Sequence, residues 1–171
     1  RYYCLHAGDN KDYVSIVRRA KEQHKNIFAD AEVDQLIPAV TEREWGKDIL
    51  KDQYFRKDEN VEAAWKGVID GTIDFVVSDH APHTKAEVLV GLEDPWKMAF
   101  GYPCIEQFLP LLLTQVNKGR LSLEHLVQLC STNVAKAFGL YPRKGALQVG
   151  SDADVTIIDM RKKSTITSTN L

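Results

Sequence analysis

The sequence predicts an α/β fold made of successive βα units around a parallel sheet. Three observations carry that reading. Short β-prone runs at residues 2–5, 26–33 and 73–78 are separated by stretches with helical periodicity. The run at 73–78 is dominated by apolar residues, as a strand covered on both faces requires. The chemically reactive residues, His6 and the cluster from Asp79 to His83, fall directly after β-prone runs. In sheets of this kind the carboxyl ends of the strands are where sites form.

The elements follow in order. Residues 2–5 end on His6-Ala7-Gly8, and Tyr13, Val14, Ile16, Val17 and Ala20 then recur at helical spacing, predicting a helix over about 11–24. After the run at 26–33, residues 38–59 read as polar and irregular. A helix is expected over 61–70, stopped by Gly71. Residues 84–103 read as loop. A long apolar helix is expected over 105–118, kinked near Pro110. Ser122 is a good N-cap for a helix over 123–130, and a short helix over 134–138 stops at Gly139. Turn residues between short β-prone runs from Gly145 onward predict a small, separate β unit. The division is therefore 1–144 and 145–171. Periodicity leaves a closed barrel and an open doubly wound sheet both standing.

Composition narrows the function. A formal net charge of −2 creates no field that would draw in nucleic acid or an anionic membrane. No apolar run approaches the ~20 residues that a membrane span needs. Lys11, Arg18, Arg19, Lys21 and Lys25 form a basic face on the first helix, but acidic neighbours dilute it, so solvation accounts for it better than nucleic-acid binding. Cys4, Cys104 and Cys130 are odd in number, widely spaced and without a C-x-x-C, which points to a reducing, cytoplasmic setting. No G-x-S-x-G elbow, P-loop or dinucleotide fingerprint occurs. The chain opens on a β-prone run without an initiator Met, which reads as a fragment of a longer protein.

Val77-Ser78-Asp79-His80-Ala81-Pro82-His83-Thr84 is the strongest local signal. It sets a carboxylate and two imidazoles within five residues, and both group types suit zinc. Pro82 fixes the turn and so the direction of His83. A capping Asp with two solvated histidines explains the same residues about equally well on residue type alone. His6 alone is a weaker candidate, strengthened because it shares the strand-end position of Asp79. His24 and His125 sit in polar helical contexts and read as solvated surface.

At Ser78-Asp79-His80-Ala81-Pro82-His83-Thr84 the chain resembles the dihydroorotases of the amidohydrolase superfamily. The resemblance extends to Asp70-Gly71-Thr72-Ile73-Asp74, Gly101-Tyr102-Pro103-Cys104-Ile105-Glu106, Leu140-Tyr141-Pro142-Arg143-Lys144-Gly145 and Val149-Gly150-Ser151-Asp152-Ala153-Asp154. It implies the last three strands and helices of a (β/α)8 barrel, followed by the C-terminal strands of a small β-sandwich. It implies hydrolysis of a cyclic amide such as dihydroorotate, with hydantoinase-like or allantoinase-like activity, or an inactive scaffold, as the alternatives. By the same resemblance one or two zinc ions would be bound. His6 and Asp79 would be metal ligands and Asp79 also the catalytic base, while His83, Gly101 and Pro103 would hold substrate. The remaining N-terminal half of a parent chain would supply further ligands, and a homo-oligomer is a further expected partner. This sequence departs from the family pattern in having no His-x-His, in Asp34-Gln35-Leu36 where histidines are usual, in Lys51 to Arg56 in place of Asn-Pro-Pro-Leu-Arg, and in Cys104 in place of glycine.

Overall fold

The computed structural model describes residues 2–23, 26–37, 57–99, 101 and 103–166. Three strands, β1 (Tyr2–Cys4), β2 (Ile27–Glu32) and β3 (Phe75–Val77), form a parallel sheet in the order β1-β2-β3. Tyr2 pairs with Ile27 and Cys4 with Ala29; Asp30 pairs with Phe75 and Glu32 with Val77. The register shift along β2 matters: its first half is used by β1 and its second by β3. β2 and β3 therefore end level at Glu32 and Val77, while β1 ends three residues earlier, opposite Ala29.

Helix α1 (Lys11–Gln23) returns the chain from β1 to β2, preceded by a 3-10 turn at Ala7–Asp9. Its apolar stripe places Val14 and Val17 in the interior. Three residues of its basic face form ion pairs: Lys11 to Glu59 at 2.7 Å, Arg18 to Asp70 at 2.7 Å and Lys21 to Asp74 at 2.5 Å; Lys25 lies outside the described residues. Helix α2 (Val33–Leu36) follows β2 directly, and α3 (Asp58–Asp70) leads back towards β3. Gly71 ends α3 in the left-handed conformation at φ 80°, as its place after the apolar period predicts. Helix α3 begins three residues before its expected start because Asp58 and Glu59 favour the positive end of a helix dipole.

Two expectations need correcting in the middle of the chain. The stretch 84–103 is not all loop. Thr84 caps α4 (Lys85–Leu89), its hydroxyl accepting from the Glu87 amide at 3.3 Å while the Glu87 carboxylate accepts from the Thr84 amide at 2.7 Å. Single 3-10 turns follow at Val90–Leu92 and Pro95–Lys97. The expected separation between two later helices is also absent. α6 (Leu123–Val127) runs through a π-helical segment at Gln128–Thr132 into α7 (Asn133–Ala137). The Ser122 hydroxyl caps the start, accepting from the His125 amide at 3.1 Å, and Asn133 Nδ2 donates to the Asp74 carbonyl at 3.0 Å. The π segment thus lets one continuous run reach the approach to β3. Helix α5 (Ile105–Asn117) carries Pro110 within it, and His125 is partly buried.

The main core lies between sheet and helices and includes Val14, Val33, Trp65, Ile73, Leu112 and Leu129. Trp65 Nε1 donates to the Leu36 carbonyl at 2.8 Å, so its polar atom is satisfied while its ring fills the core. Gly67 keeps α3 close to α1 and to the approach to β3, since a Cβ there would lie 3.0 Å from Val14 and 3.1 Å from Ile73 and would press on both side chains. Among the described residues, no helix is long and apolar enough to cross a membrane.

From Gly145, where a small β unit is expected, the described residues 145–166 form turns, bends and irregular backbone, with no strand among them. A β-prone run becomes a strand only where it meets another edge, and these residues meet none here. They are instead tied to the helices. Thr132 Oγ1 donates to the Gly145 carbonyl at 2.8 Å, and Asn117 Nδ2 to the Met160 carbonyl at 3.2 Å. Lys144 reaches Asp152 at 2.9 Å and Asp154 at 2.5 Å.

Candidate metal centre

The strand ends bring three ligand-type side chains to one place. His6 follows β1, Glu32 is the last residue of β2, and Asp79 lies two residues beyond β3. One ligand atom of each lies within 4.8 Å of the others. Glu32 is buried, whereas His6 and Asp79 open to solvent. His6 and Asp79 are the residues that the sequence singles out. Glu32 is not, although its position gives the same signal: a carboxylate closing a β-prone run.

Both exposed members sit in the left-handed region, His6 at φ 56° and Asp79 at φ 43°. A non-glycine residue there costs about 1–2 kcal/mol, so each must be held by its surroundings. Asp30, buried one pleat before the strand end, holds His6. Its Oδ1 accepts from the His6 amide at 2.6 Å and its Oδ2 from the Tyr3 hydroxyl at 2.5 Å. Burial and the neighbouring Asp30 carboxylate push the Tyr3 phenol well above its ordinary range, so it stays a donor at any physiological pH. The His6 ring is held by its Nδ1, which contacts Glu32 Oε1. Glu32 is fixed in turn at its backbone, where its amide donates to Gln35 Oε1 at 3.0 Å, and Gln35 Nε2 reaches Asp9 at 3.3 Å. Gly8 permits this close layer, because a Cβ would fall 2.4 Å from Gln35 Oε1 and 2.7 Å from Ala31 Cβ.

Asp79 is held by the segment that starts α5. The Cys104 thiol donates to the Ser78 carbonyl at 2.8 Å, on one side of Asp79. On the other side, His80 Nδ1 accepts from the Cys104 and Ile105 amides at 3.0 and 3.2 Å. Burial, helped by the charges of Asp34 and Asp79, pushes the Cys104 thiol up to about 11. It is therefore a protonated donor near neutral pH and no nucleophile.

Gly101 lies against the same loop. Its φ is 132°, and a Cβ would meet the Ala81 carbonyl oxygen at 2.4 Å and Ala81 Cβ at 2.6 Å. Pro103 is partly buried just ahead of Cys104. His83 stands four residues past Asp79 with its Nδ1 4.0 Å from Glu87 Oε2 and its side chain about one-third exposed. Residues 51–56, Tyr102 and His24 lie outside the described residues.

The His6 imidazole and the Asp79 carboxylate have the chemistry of zinc or manganese ligands, and the Glu32 carboxylate stands against the His6 ring. A His whose second nitrogen meets a carboxylate is the arrangement that fixes a metal-binding tautomer.

Comparison with known proteins gives the family of the chain. The family model described as the amidohydrolase family matches residues 2–170. The chain is 36% identical over 162 residues to an L-hydantoinase of Paenarthrobacter aurescens, covering 94% of the chain and 35% of that protein. It is 34% identical over 170 residues to a dihydroorotase of Bacillus cereus, covering 98% of the chain and 38% of that protein. The crystal structure of dihydropyrimidinase from Brevibacillus agri superposes with a TM-score of 0.77 at 32% identity, over 89% of the chain and 34% of that structure. The chain thus spans about a third of the length of these relatives. With a match running from its first strand to residue 170, and its His and acidic residues gathered at the strand ends, the chain belongs to the amidohydrolase family.

Proposed function

We propose that the complete protein is a metal-dependent hydrolase that opens or closes a cyclic amide ring, with dihydroorotate as the first candidate substrate. The observation that carries this reading is the meeting of His6, Glu32 and Asp79 at the carboxyl ends of three neighbouring parallel strands. His6 and Asp79 are the ligands this chain offers, and zinc is the proposed ion. Glu32 accepts the proton-bearing Nδ1 of His6, which leaves Nε2 for the ion. A catalytic zinc takes about three protein ligands and keeps one position open, so further ligands come from the rest of the protein.

When bound, zinc would lower the pKa of water and polarise a carbonyl. The chain's own residues supply the rest. Asp79 takes one proton from the attacking water as its oxygen bonds to the ring carbonyl carbon. The same carboxyl returns that proton to the ring nitrogen as the C–N bond breaks. The water's second proton leaves with the new carboxylic acid. His83 and the segment at Gly101 and Pro103 are proposed to face the substrate, since they border the loop that carries Asp79.

Hydantoin-type rings are the second reading, favoured by the L-hydantoinase and dihydropyrimidinase relatives. Turnover of dihydroorotate, hydantoin, a dihydropyrimidine and allantoin by the complete protein, with metal content measured in parallel, separates them. Turnover of one ring assigns the substrate. A metal-loaded protein that turns over none of the four is the result expected of an inactive scaffold.

A further inference from the structure

Asp79 is the residue whose geometry the proposed chemistry needs most, and its backbone is in the left-handed region at φ 43°. Within its own loop the His80 amide donates to Ser78 Oγ across it at a long 3.4 Å. What surrounds it is the start of α5, 25 residues further along. The first amides of a helix have no partner inside the helix. Cys104, the residue at the N-cap of α5, makes no capping bond with its side chain. Its thiol is turned away to the Ser78 carbonyl at 2.8 Å. The cap is supplied from a distance by His80, whose Nδ1 accepts from both the Cys104 and the Ile105 amides.

We propose that His80 is a positioning residue for Asp79, acting in its Nε2–H form as the remote cap of α5. Ser78 and His80 flank Asp79, and both are bonded to the same helix start. Two fixed neighbours leave the intervening residue little freedom, and the carboxylate direction follows from the backbone. Gly101 adds to the seam by allowing its segment to approach Ala81. The acceptor role also settles the tautomer. An Nδ1 that takes two N–H bonds bears no hydrogen, so the ring proton is on Nε2 at the exposed side of the imidazole. Cys104 and Ile105 are thus tied to both neighbours of Asp79, through Ser78 and His80.

This inference rests on the metal-site reading for its consequence, but not for its geometry, and the test uses both. In the complete protein, ¹⁵N spectra of the histidine rings are expected to show His80 with a hydrogen-free Nδ1, assigned by its loss in His80→Asn. Metal affinity, measured by competition with a chelator using zinc alone, is expected to fall at least about tenfold in His80→Ala. His80→Asn is expected to recover most of that loss, because the amide oxygen accepts from the same two N–H groups. A hydrogen on Nδ1 would overturn the cap, whether or not the protein binds metal. Equal zinc affinity in wild type and His80→Ala, or equal losses in His80→Ala and His80→Asn, would overturn the positioning role. A wild type that binds no zinc, with Nδ1 hydrogen-free, would remove the metal reading and with it the positioning role, and leave the cap standing.

Discussion

Glu32 Oε1 lies against Nδ1 of His6, joining the ends of β1 and β2 through a carboxylate whose side chain is only 7% exposed. This contact fixes one ring nitrogen of His6 against a buried carboxylate and leaves Nε2 as the nitrogen proposed for the ion. Replacing Glu32 by Ala is expected to weaken zinc binding about 10–100-fold. Replacing it by Gln is expected to cost less, because an amide oxygen still accepts from Nδ1–H. Chelator competition on the two variants measures the difference, and equal affinities in wild type and Glu32→Ala would remove Glu32 from the site.

Gly101 is expected to resist any side chain. The Gly101→Ala variant combines a φ of 132° with a Cβ placed 2.4 Å from the Ala81 carbonyl oxygen. Overpacking and a strained backbone together predict a loss of about 1–3 kcal/mol, read as a lower denaturant midpoint. Because Ala81 is two residues from Asp79, the same variant is expected to lower metal affinity as well.

Asp70 provides an acid-sensitive link between α1 and α3. Burial raises its pKa, but bonds from the Thr72 hydroxyl and amide and from Arg18 outweigh that and hold it below the ordinary 3.8. Ionised Asp70 therefore stabilises the fold at pH values above about 4, and the contribution is lost as pH falls through the lowered value. The stability gap between wild type and Asp70→Asn is expected to be constant near neutrality and to shrink below pH ~4. The gap is modest, since the pair is about one-third exposed. Denaturant titrations at several pH values test it, and a gap that widens in acid would contradict it.

This chain by itself is expected to associate in solution. β1 is an edge strand with Tyr2 75% exposed, and Leu147, Val149 and Ile157 are exposed in the unpaired C-terminal stretch. Open edges and apolar patches of this kind invite pairing. Sedimentation velocity is expected to show oligomers or aggregates, and a concentration-independent monomer would contradict the expectation.

Much of the sheet and two of the three site residues were legible because they rest on local chemistry. The apolar runs at 26–33 and 73–78 contain β2 and β3, and Gly71 marks the end of α3 by its own conformational freedom. His6 and Asp79 stand out because each follows a β-prone run. Glu32 also stands at the end of a β-prone run, but its contact with His6, 26 residues away, forms only once β1 and β2 are paired. The capping of α5 by His80 is likewise a long-range bond that no spacing rule encodes. The α4 helix is a different case, for Thr84 and Glu87 stand at capping-box spacing in plain view. The stretch from Gly145 carries no strand among the described residues 145–166. Its β propensity is real, but a ladder depends on a neighbouring strand that these residues do not meet.

The most direct measurement is ring opening by the complete protein, loaded with zinc, compared with its Asp79→Asn variant on dihydroorotate and hydantoin. Asparagine keeps the size of the side chain and cannot carry the proton. The expected result is metal-dependent turnover in the wild type and a drop of roughly 10²–10⁴-fold in the variant, with the fold unchanged. Undiminished turnover by Asp79→Asn would contradict the role given to Asp79, and turnover that persists after chelation would contradict the metal site.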